Sequence, residues 1–486
     1  MPPITRRHFL ADSLLAAAAA VALPANSALA AKKKNKPTKK SEHRLQVAIV
    51  GAGGRGGEHI SAYLAHPDAE IAYVVEADEK IGQRRVEEIA KKQQRKPKFV
   101  RDLRKALEDK SLDIISTATP NHWHALCAIW SMQAGKDVYV EKPVSHNVSE
   151  GRRIVQVARK HHRICQAGTQ CRSMRGTIEA IEYVQSGKIG QVKLAHGLCY
   201  KRRTSIGPKG HYEVPAQVDY NLWAGPSHML PLTRPKFHYD WHWQREWGNG
   251  DMGNQGPHQM DIARWGLGAD RLAQRVLCFG GRLGYEDAGD VANTEVALFA
   301  FGDKTLVFEV RGLVTDALRG ANVGVIFYGS EGYVVMTSYT TGAAFDLQGN
   351  LVKPFKGDGD HFANFIDAVK ARDPKILHAE ILEGHLSCAH SHLANISYYL
   401  GKPATTAQIK RGLDDWKDRD DVADTLGRTL EHLKANKVDV EKTPLTLGPV
   451  LSIDPEKETV LDNSAATALL TRQYRAPFIV PKAEEV

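Results

Sequence analysis

Leu45-Gln46-Val47-Ala48-Ile49-Val50-Gly51-Ala52-Gly53-Gly54-Arg55-Gly56-Gly57 is the stretch on which the fold of this chain turns. A short apolar run stops at glycines and passes into Glu58-His59-Ile60-Ser61-Ala62-Tyr63-Leu64, which reads as a helix. Gly51, Gly53 and Gly56 stand in G-x-G-x-x-G order, with Gly54 and Arg55 between them. The first glycine allows a tight turn, the second lets backbone approach a pyrophosphate, and the third lets the helix pack on the strand. Phosphates would sit on the free N–H groups and positive dipole end of that helix. A second apolar run, Ile71-Ala72-Tyr73-Val74-Val75, ends at Glu76, twenty residues beyond Gly56. A carboxylate there accepts hydrogen bonds from adenosine ribose hydroxyls and repels a 2′-phosphate. The stretch therefore predicts a dinucleotide site with NAD as cofactor in preference to NADP. Arg84 and Arg85 downstream keep NADP open.

Outward from this stretch, the N-terminus reads as an address. Thr5-Arg6-Arg7-His8-Phe9-Leu10 precedes an alanine-rich run from Leu14 to Leu23, and Ala28-Leu29-Ala30 offers a small-residue cleavage site. The apolar run is too short to span a bilayer, which takes about 20 residues, and no cysteine follows it, so no stable membrane anchor is expected. Residues 1–30 resemble a twin-arginine export signal. That implies the twin-arginine translocase as a partner during export, transport in the folded state and a periplasmic or otherwise exported location. Residues 31–44 contain six lysines and read as a basic linker. Residues 1–44 hold nine Lys/Arg against two Asp/Glu, a net of +7, so only +2 of the chain's +9 remains for the rest. No basic patch on a folded domain follows from that balance, which argues against a nucleic-acid partner.

Some 440 residues exceed one ordinary core, so two domains are expected. From 45 to 170 apolar runs at 45–50, 71–75, 113–117, 137–140 and 164–167 alternate with helix-like stretches such as 79–93, 122–134 and 149–162. That alternation predicts α/β architecture with a doubly wound parallel sheet. Ser173 to Gly187 reads as a helix. After it, strand-like runs at 192–199, 275–281, 294–300, 304–311, 323–328 and 333–336 lack intervening helices. They predict an open, mostly antiparallel sheet in a second domain over 171–400, with helices 361–371 and 379–399 covering one face. The exposed face of such a sheet predicts a homo-oligomer. Residues 401–486 read as a partly helical extension. The six cysteines, at 127, 165, 171, 199, 278 and 388, show no C-x-x-C pairing and read as buried free thiols. His228, His238, His242 and His258 match no compact ligand motif, so no metal is expected.

Ligands of doubly wound sheets sit beyond the carboxyl ends of the strands. Thr119-Pro120-Asn121-His122-Trp123-His124 leaves the run at 113–117, and Glu141-Lys142-Pro143 leaves the run at 137–140. A lysine facing an oxidised nicotinamide is disfavoured as an ammonium by burial and by the ring's charge, which suits it to proton transfer. Thr119-Pro120-Asn121-His122, Glu141-Lys142-Pro143, the glycine loop and Gly250-Asp251-Met252-Gly253-Asn254-Gln255-Gly256-Pro257-His258-Gln259-Met260-Asp261 together resemble the Gfo/Idh/MocA family of oxidoreductases.

The resemblance implies a Rossmann domain, an α/β second domain, and hydride exchange between NAD and a hydroxyl of a sugar or cyclitol. It also implies that Lys142 touches both substrate and cofactor, that Glu141 bonds the nicotinamide ribose, that a cis bond precedes Pro143, and that His258 is catalytic. Asn254 stands where the family commonly has an aspartate, and an amide cannot shuttle a proton. Thr119, Pro120, Asn121 and His124 are cofactor candidates. Asp261 and Asn254 are substrate candidates, as are Trp241, His242 and Trp243 in the aromatic run Phe237 to Trp247, and Tyr200 before Lys201-Arg202-Arg203. Arg245 is a further hydroxyl partner, and at least one of Trp241 and Trp243 is expected in the core if that run is extended. Three functions compete: an exported NAD-dependent dehydrogenase of a sugar, glycoside or cyclitol; a glycoside hydrolase that keeps NAD and oxidises, eliminates and reduces again; and a non-catalytic sugar-binding or regulatory protein.

Overall fold

The computed structural model describes residues 44–416 and 422–486. The proposed export signal, residues 1–30, lies outside the described residues, as does the basic linker up to residue 43. The first sheet contains β1 (Leu45–Val50), β2 (Ala69–Val75), β3 (Lys98–Val100), β4 (Ile114–Thr117), β5 (Asp137–Val140) and β6 (Cys165–Ala167). Its order is β3-β2-β1-β4-β5-β6, with every neighbouring pair parallel. Parallel strands buried on both faces need continuous apolar runs; Val47, Ala48 and Ile49 are fully buried accordingly. The strand order reverses between β1 and β4, which places the crevice for a ligand at their carboxyl ends.

The second sheet joins β7 (Val192–Tyr200), β8 (Arg275–Gly281), β9 (Thr294–Phe301), β10 (Lys304–Arg311), β11 (Val323–Gly329), β12 (Gly332–Met336), β13 (Thr341–Asp346) and β14 (Leu351–Lys356). Its order through these strands is β14-β13-β12-β11-β7-β10-β9-β8. Only β7 and β10 pair in parallel among them. Four short strands from beyond residue 400 extend it past β8: β15 (Lys402–Ala404), β16 (Leu445–Leu447), β17 (Leu451–Asp454) and β18 (Thr459–Leu461).

Side chains alternate across this sheet. Cys278, Phe299, Phe308 and Phe327 face the helices Gly256–Leu267 and Ile381–Tyr399, packing on Met260, Ala263, Leu386 and Leu393. Leu277, Phe279, Leu298 and Val307 point the other way. The sequence places helices on one face only; over β8 to β10 the second face is also covered, by Ile409, Leu413, Trp416, Leu426 and Leu433 of the C-terminal part. The last residues return to the first domain. Phe478 and Val480 enter its core, with the Phe478 ring 5.5 Å from that of Trp123. Tyr474 Oη donates to Glu150 Oε1 at 3.1 Å, and Arg475 holds Asn221. All six cysteines are free and buried. No helix among the described residues is long and apolar enough to cross a membrane.

Candidate active site

The glycine loop leaves β1 at Gly51, whose φ of +78° only glycine adopts without strain. A Cβ on Gly51 would come within 2.7 Å of the Thr119 nitrogen, and one on Gly56 would overlap the Gly51 carbonyl. At Gly53 and Gly54 an added Cβ meets nothing within 4 Å. The loop is thus closed tightly on its own fold at two glycines and open at the two between them. The N–H groups of Gly53, Gly54 and Arg55 make no hydrogen bond among the described residues, and they precede the helix Gly56–Ala65. Open space, free donors and a helix N-terminus form a cradle that fits a pyrophosphate.

Glu76 closes the loop from the end of β2. Its Oε2 accepts from the Ala52 N–H at 2.8 Å and its Oε1 from the Asp78 N–H at 3.2 Å. A carboxylate offers about four lone-pair sites, so acceptor capacity remains for ribose hydroxyls. Burial raises its pKa above the usual range, although the two backbone bonds oppose this. Arg85, a residue that kept NADP open, is committed elsewhere: its guanidinium donates to the carbonyls of Ala52 at 2.9 Å and Gly53 at 3.1 Å and pairs with Glu88. Arg84 pairs with Glu88 at the surface.

Beneath the loop lies a charged group that sequence reading missed in part. Glu141, 3 % exposed, accepts from Arg55 Nε at 2.7 Å, and His59 Nε2 lies 3.3 Å from the same oxygen. His59 Nδ1 reaches Ser116 Oγ on β4 at 2.8 Å. Burial alone would raise Glu141's pKa; the Arg55 guanidinium, His59 and Lys142 outweigh it and hold the carboxyl well below the usual range. His59 is one helical turn beyond Arg55, the only sequence signal for this pairing.

Lys142 follows, at a cis Lys142–Pro143 bond. Its ammonium donates to the Asn254 carbonyl at 2.7 Å, with Asn254 Oδ1 at 3.4 Å, so it links the first domain to the helix Gly250–Asn254 of the second. Burial lowers its pKa, Glu141 pulls it back up, and Arg55 lowers it further. His258 begins the next helix, 4 % exposed, its ring 4.7 Å from Tyr339. Its Nδ1 is buried without a partner among the described residues. Burial and then the Lys142 charge hold His258 well below its ordinary pKa, so it is a neutral imidazole. The structure therefore brings together Lys142, His258 and Asn254 at the edge of the glycine cradle.

The other candidates fall in different places. His242 borders the group: its ring stacks on Trp241 at 3.7 Å, its Nδ1 contacts the Tyr239 carbonyl, and burial lowers its pKa to about 3. The aromatic run there is a tight helical turn, Asp240–Trp243, not an extended strand, so alternation does not apply and both Trp241 and Trp243 are buried. Arg245 stacks on Tyr399 at 4.0 Å. Thr119 Oγ1 contacts Thr117 Oγ1 at 3.2 Å beside the loop, and Pro120 caps the helix Asn121–Gln133. Asn121 donates to Asn249 Oδ1 at 3.2 Å across the domain boundary. His124 has its ring nitrogens 2.6 Å from the Pro143 carbonyl and 2.8 Å from that of Thr119. It braces the two loops against each other, and neither nitrogen is left for a cofactor.

Two substrate candidates are displaced outright. Tyr200 lies on the face of β7 turned away from Lys142 and donates to Glu309 Oε2 at 2.8 Å. The reason is strand alternation: Cys199, not Tyr200, points to the helices. Asp261 is fully buried, with Arg172 Nε and Nη2 on its two oxygens at 2.8 and 2.9 Å and Ser387 Oγ at 2.8 Å. A carboxylate so engaged anchors a helix and has no access to a ligand. Of the remaining histidines, His238 lies 3.0 Å from Asp78 and His228 pairs with Glu246. An acid that sequence motifs had not singled out is Asp251, held by Arg203 at 2.6 and 2.7 Å.

Residues 45–169 match the Gfo/Idh/MocA family model, described as an oxidoreductase family with an NAD-binding Rossmann fold. An α-N-acetylgalactosaminidase of Shewanella oneidensis is 29% identical over 213 residues, 40% of this chain and 46% of that protein. A glycosyl hydrolase family 109 protein of a Shewanella species is 29% identical over 157 residues, 32% of this chain and 34% of its own. The chain thus spans less than half the length of these curated relatives. Among solved structures, GenD2 from gentamicin A biosynthesis in complex with NAD superimposes with a TM-score of 0.54 at 19% identity, over 74% of this chain and 95% of that one. The WlbA dehydrogenase from Bordetella pertussis, in complex with NADH and UDP-GlcNAcA, gives 0.54 at 17%, over 73% and 97%. These two show the shared two-domain fold. Residues 45–169 accordingly match the NAD-binding Rossmann domain of the Gfo/Idh/MocA oxidoreductases, on a chain whose second domain is a mixed, mostly antiparallel sheet as in those two structures.

Proposed function

We propose that this protein is a redox-neutral, NAD-dependent glycoside hydrolase that retains its cofactor. The observation that carries the reading is the half-buried Lys142 ammonium beside the open glycine cradle, joined to Asn254 and adjoining a neutral His258. The free N–H groups at Gly53 to Arg55 would hold the pyrophosphate, Glu76 the adenosine ribose and Glu141 the nicotinamide ribose. Arg85's attachment to the loop carbonyls supports NAD over NADP. NAD, when bound, accepts a hydride from a carbinol carbon and returns it. Lys142, its ammonium weakened by burial, takes the hydroxyl proton of that carbon as the base. His258, neutral and on the same cleft, is placed to relay that proton without keeping it. Once the carbonyl exists, the neighbouring C–H is acidic; its proton leaves to a base, the aglycone departs with its bonding pair, water adds, and the first step reverses. Similarity to the two glycosidases supports this cycle over net oxidation.

A dehydrogenase of a sugar, glycoside or cyclitol is the second reading, favoured by the family of residues 45–169. Both begin with the same oxidation. Export through a twin-arginine signal at residues 1–30, as a folded and cofactor-loaded protein that assembles as a homo-oligomer, belongs to the proposal. A retained cofactor suits export because NAD does not have to be found outside the cytoplasm. Native mass spectrometry of the purified protein is expected to show NAD bound. Turnover of an α-N-acetylgalactosaminide or another glycoside is expected to release free sugar with no net NADH. Accumulation of NADH in step with product identifies the dehydrogenase instead, and release of neither leaves a sugar-binding protein.

A further inference from the structure

We infer that the cavity walled by Arg202, Arg203, Lys236, Tyr239, Asp240 and Trp243 is a subsite for an anionic saccharide unit beside the reaction centre. The inference rests on the glycoside reading above and adds the class of sugar. The cavity measures about 430 Å³, within the range of about 300–1,000 Å³ of small-molecule sites. It shares its wall with the reaction centre at two points. Arg203 binds Asp251 in the same short helix whose Asn254 receives Lys142. The Tyr239 carbonyl meets His242, on which the charges of Lys142 and Asp251 both act.

Its lining suits a sugar ring. Tyr239 presents its ring to the cavity, and a flat ring packs against the apolar face of a pyranose; buried Trp243 backs it, with centroids 5.6 Å apart and Arg203 5.1 Å over its own ring. Tyr239 has φ of +67°, in the left-handed region that bulky residues avoid, and is 53 % exposed. A residue held there against its preference marks a site whose surroundings dictate the ring's direction. The Trp243 indole N–H has no partner among the described residues.

The charge selects the class of sugar. Arg203 is neutralised by Asp251, a bidentate pair, and so adds no net field. Arg202 and Lys236 make no ion pair among the described residues, and they face one carboxylate, Asp240. Among the described residues no donor bonds the Asp240 carboxylate, which leaves it open to a sugar hydroxyl. Two free cations against one acid leave room for one ligand anion, and a guanidinium fork matches the geometry of a carboxylate or sulfate.

The test uses the full chain with its retained NAD and three disaccharides that differ at one ring: glucose, glucuronate and glucose 6-sulfate. Calorimetric titration at low ionic strength is expected to show about tenfold tighter binding of at least one acidic disaccharide over the neutral one, shrinking with added salt. In Arg202→Ala/Lys236→Ala the preference is expected to fall below about threefold with neutral binding unchanged, and Tyr239→Ala is expected to weaken all three. If the double variant misfolds, Arg202→Gln and Lys236→Gln are measured singly. Equal binding of all three, binding of none, or a preference that survives both charge removals overturns the subsite. Reduction of the bound NAD, followed in the same samples, separates the two readings. No reduction with any disaccharide, alongside charge-selective binding, refutes the oxidation chemistry and leaves the subsite; reduction without charge selectivity does the reverse.

Discussion

The glycine-loop wall of the cleft is made of backbone from one short stretch, whereas the facing wall is made of side chains gathered from distant parts of the chain. On the first, two glycines are closed, Gly51 against Thr119 and Gly56 against the Gly51 carbonyl, and two are left open, all within six residues. On the second, Arg203, His242, the pair Asn254 and His258, and Tyr339 come from four separate segments, tied by Arg203–Asp251, Lys142–Asn254 and Gln255–Tyr339 contacts. A backbone cradle recognises what every dinucleotide has in common. A wall of side chains can be exchanged position by position, so it is where one substrate is told from another.

The strongest way to break this comparison is at Lys142, where the walls meet. Lys142→Met is expected to lower turnover by about 10² to 10⁴, the worth of a positioned acid–base group, while NAD still binds. Because burial lowers Lys142's pKa from 10.5, wild-type turnover is expected to rise with pH through a midpoint below 10.5, as the neutral amine forms. That limb is expected to vanish in the variant; single-turnover reduction of bound NAD across pH reads both. Should the rate survive the substitution, neither oxidation-first reading stands. Next is Asp261, where the second wall is anchored. Asp261→Ala removes two of Arg172's three carboxylate bonds, leaving Glu383 as its partner, and is expected to cost about 3 kcal/mol of stability, measured by denaturant unfolding. A loss of turnover with full stability would instead return Asp261 to the site.

Glu76 sharpens the first wall. Glu76→Ala removes an acceptor for the ribose hydroxyls and is expected to weaken NAD binding by about 2–4 kcal/mol while relaxing discrimination against NADP. Equal affinity of the wild-type protein for both cofactors speaks against that role. The smallest effect is expected at Tyr200, behind the second wall. Tyr200→Phe loses one hydrogen bond to the charged Glu309, about 1.5–3 kcal/mol of stability, with turnover unchanged. A turnover defect at native stability would place Tyr200 in communication with the cleft.

The same contrast explains what could be read from the sequence. The first wall was legible because a pyrophosphate cradle needs glycines at fixed offsets, and strand ends carry the loops around it. Strands β7 to β12 were legible from apolar runs bounded by turns. β3, β13 and β14 were not: Lys98–Val100 is three residues long, and β14 runs Leu-Val-Lys-Pro-Phe-Lys along an exposed edge. Tyr200 was misjudged by one position of a strand, enough to move a side chain through the sheet. Asp261 lies three residues beyond His258 on its helix, but what it meets is set by Arg172 and Ser387, which no local spacing announces. His59 and Asp251 were missed because pairing with Glu141 and Arg203 spans 82 and 48 residues.

Phe478, seated between Trp123 and Trp130, has a consequence for how the protein is made. The ribosome releases the glycine-loop domain early and Phe478, which packs into its core, hundreds of residues later. At roughly 5–20 residues per second, the 348 residues between Trp130 and Phe478 take roughly 20 to 70 seconds to translate. For that interval two tryptophans stand without their cover, a natural footing for a chaperone.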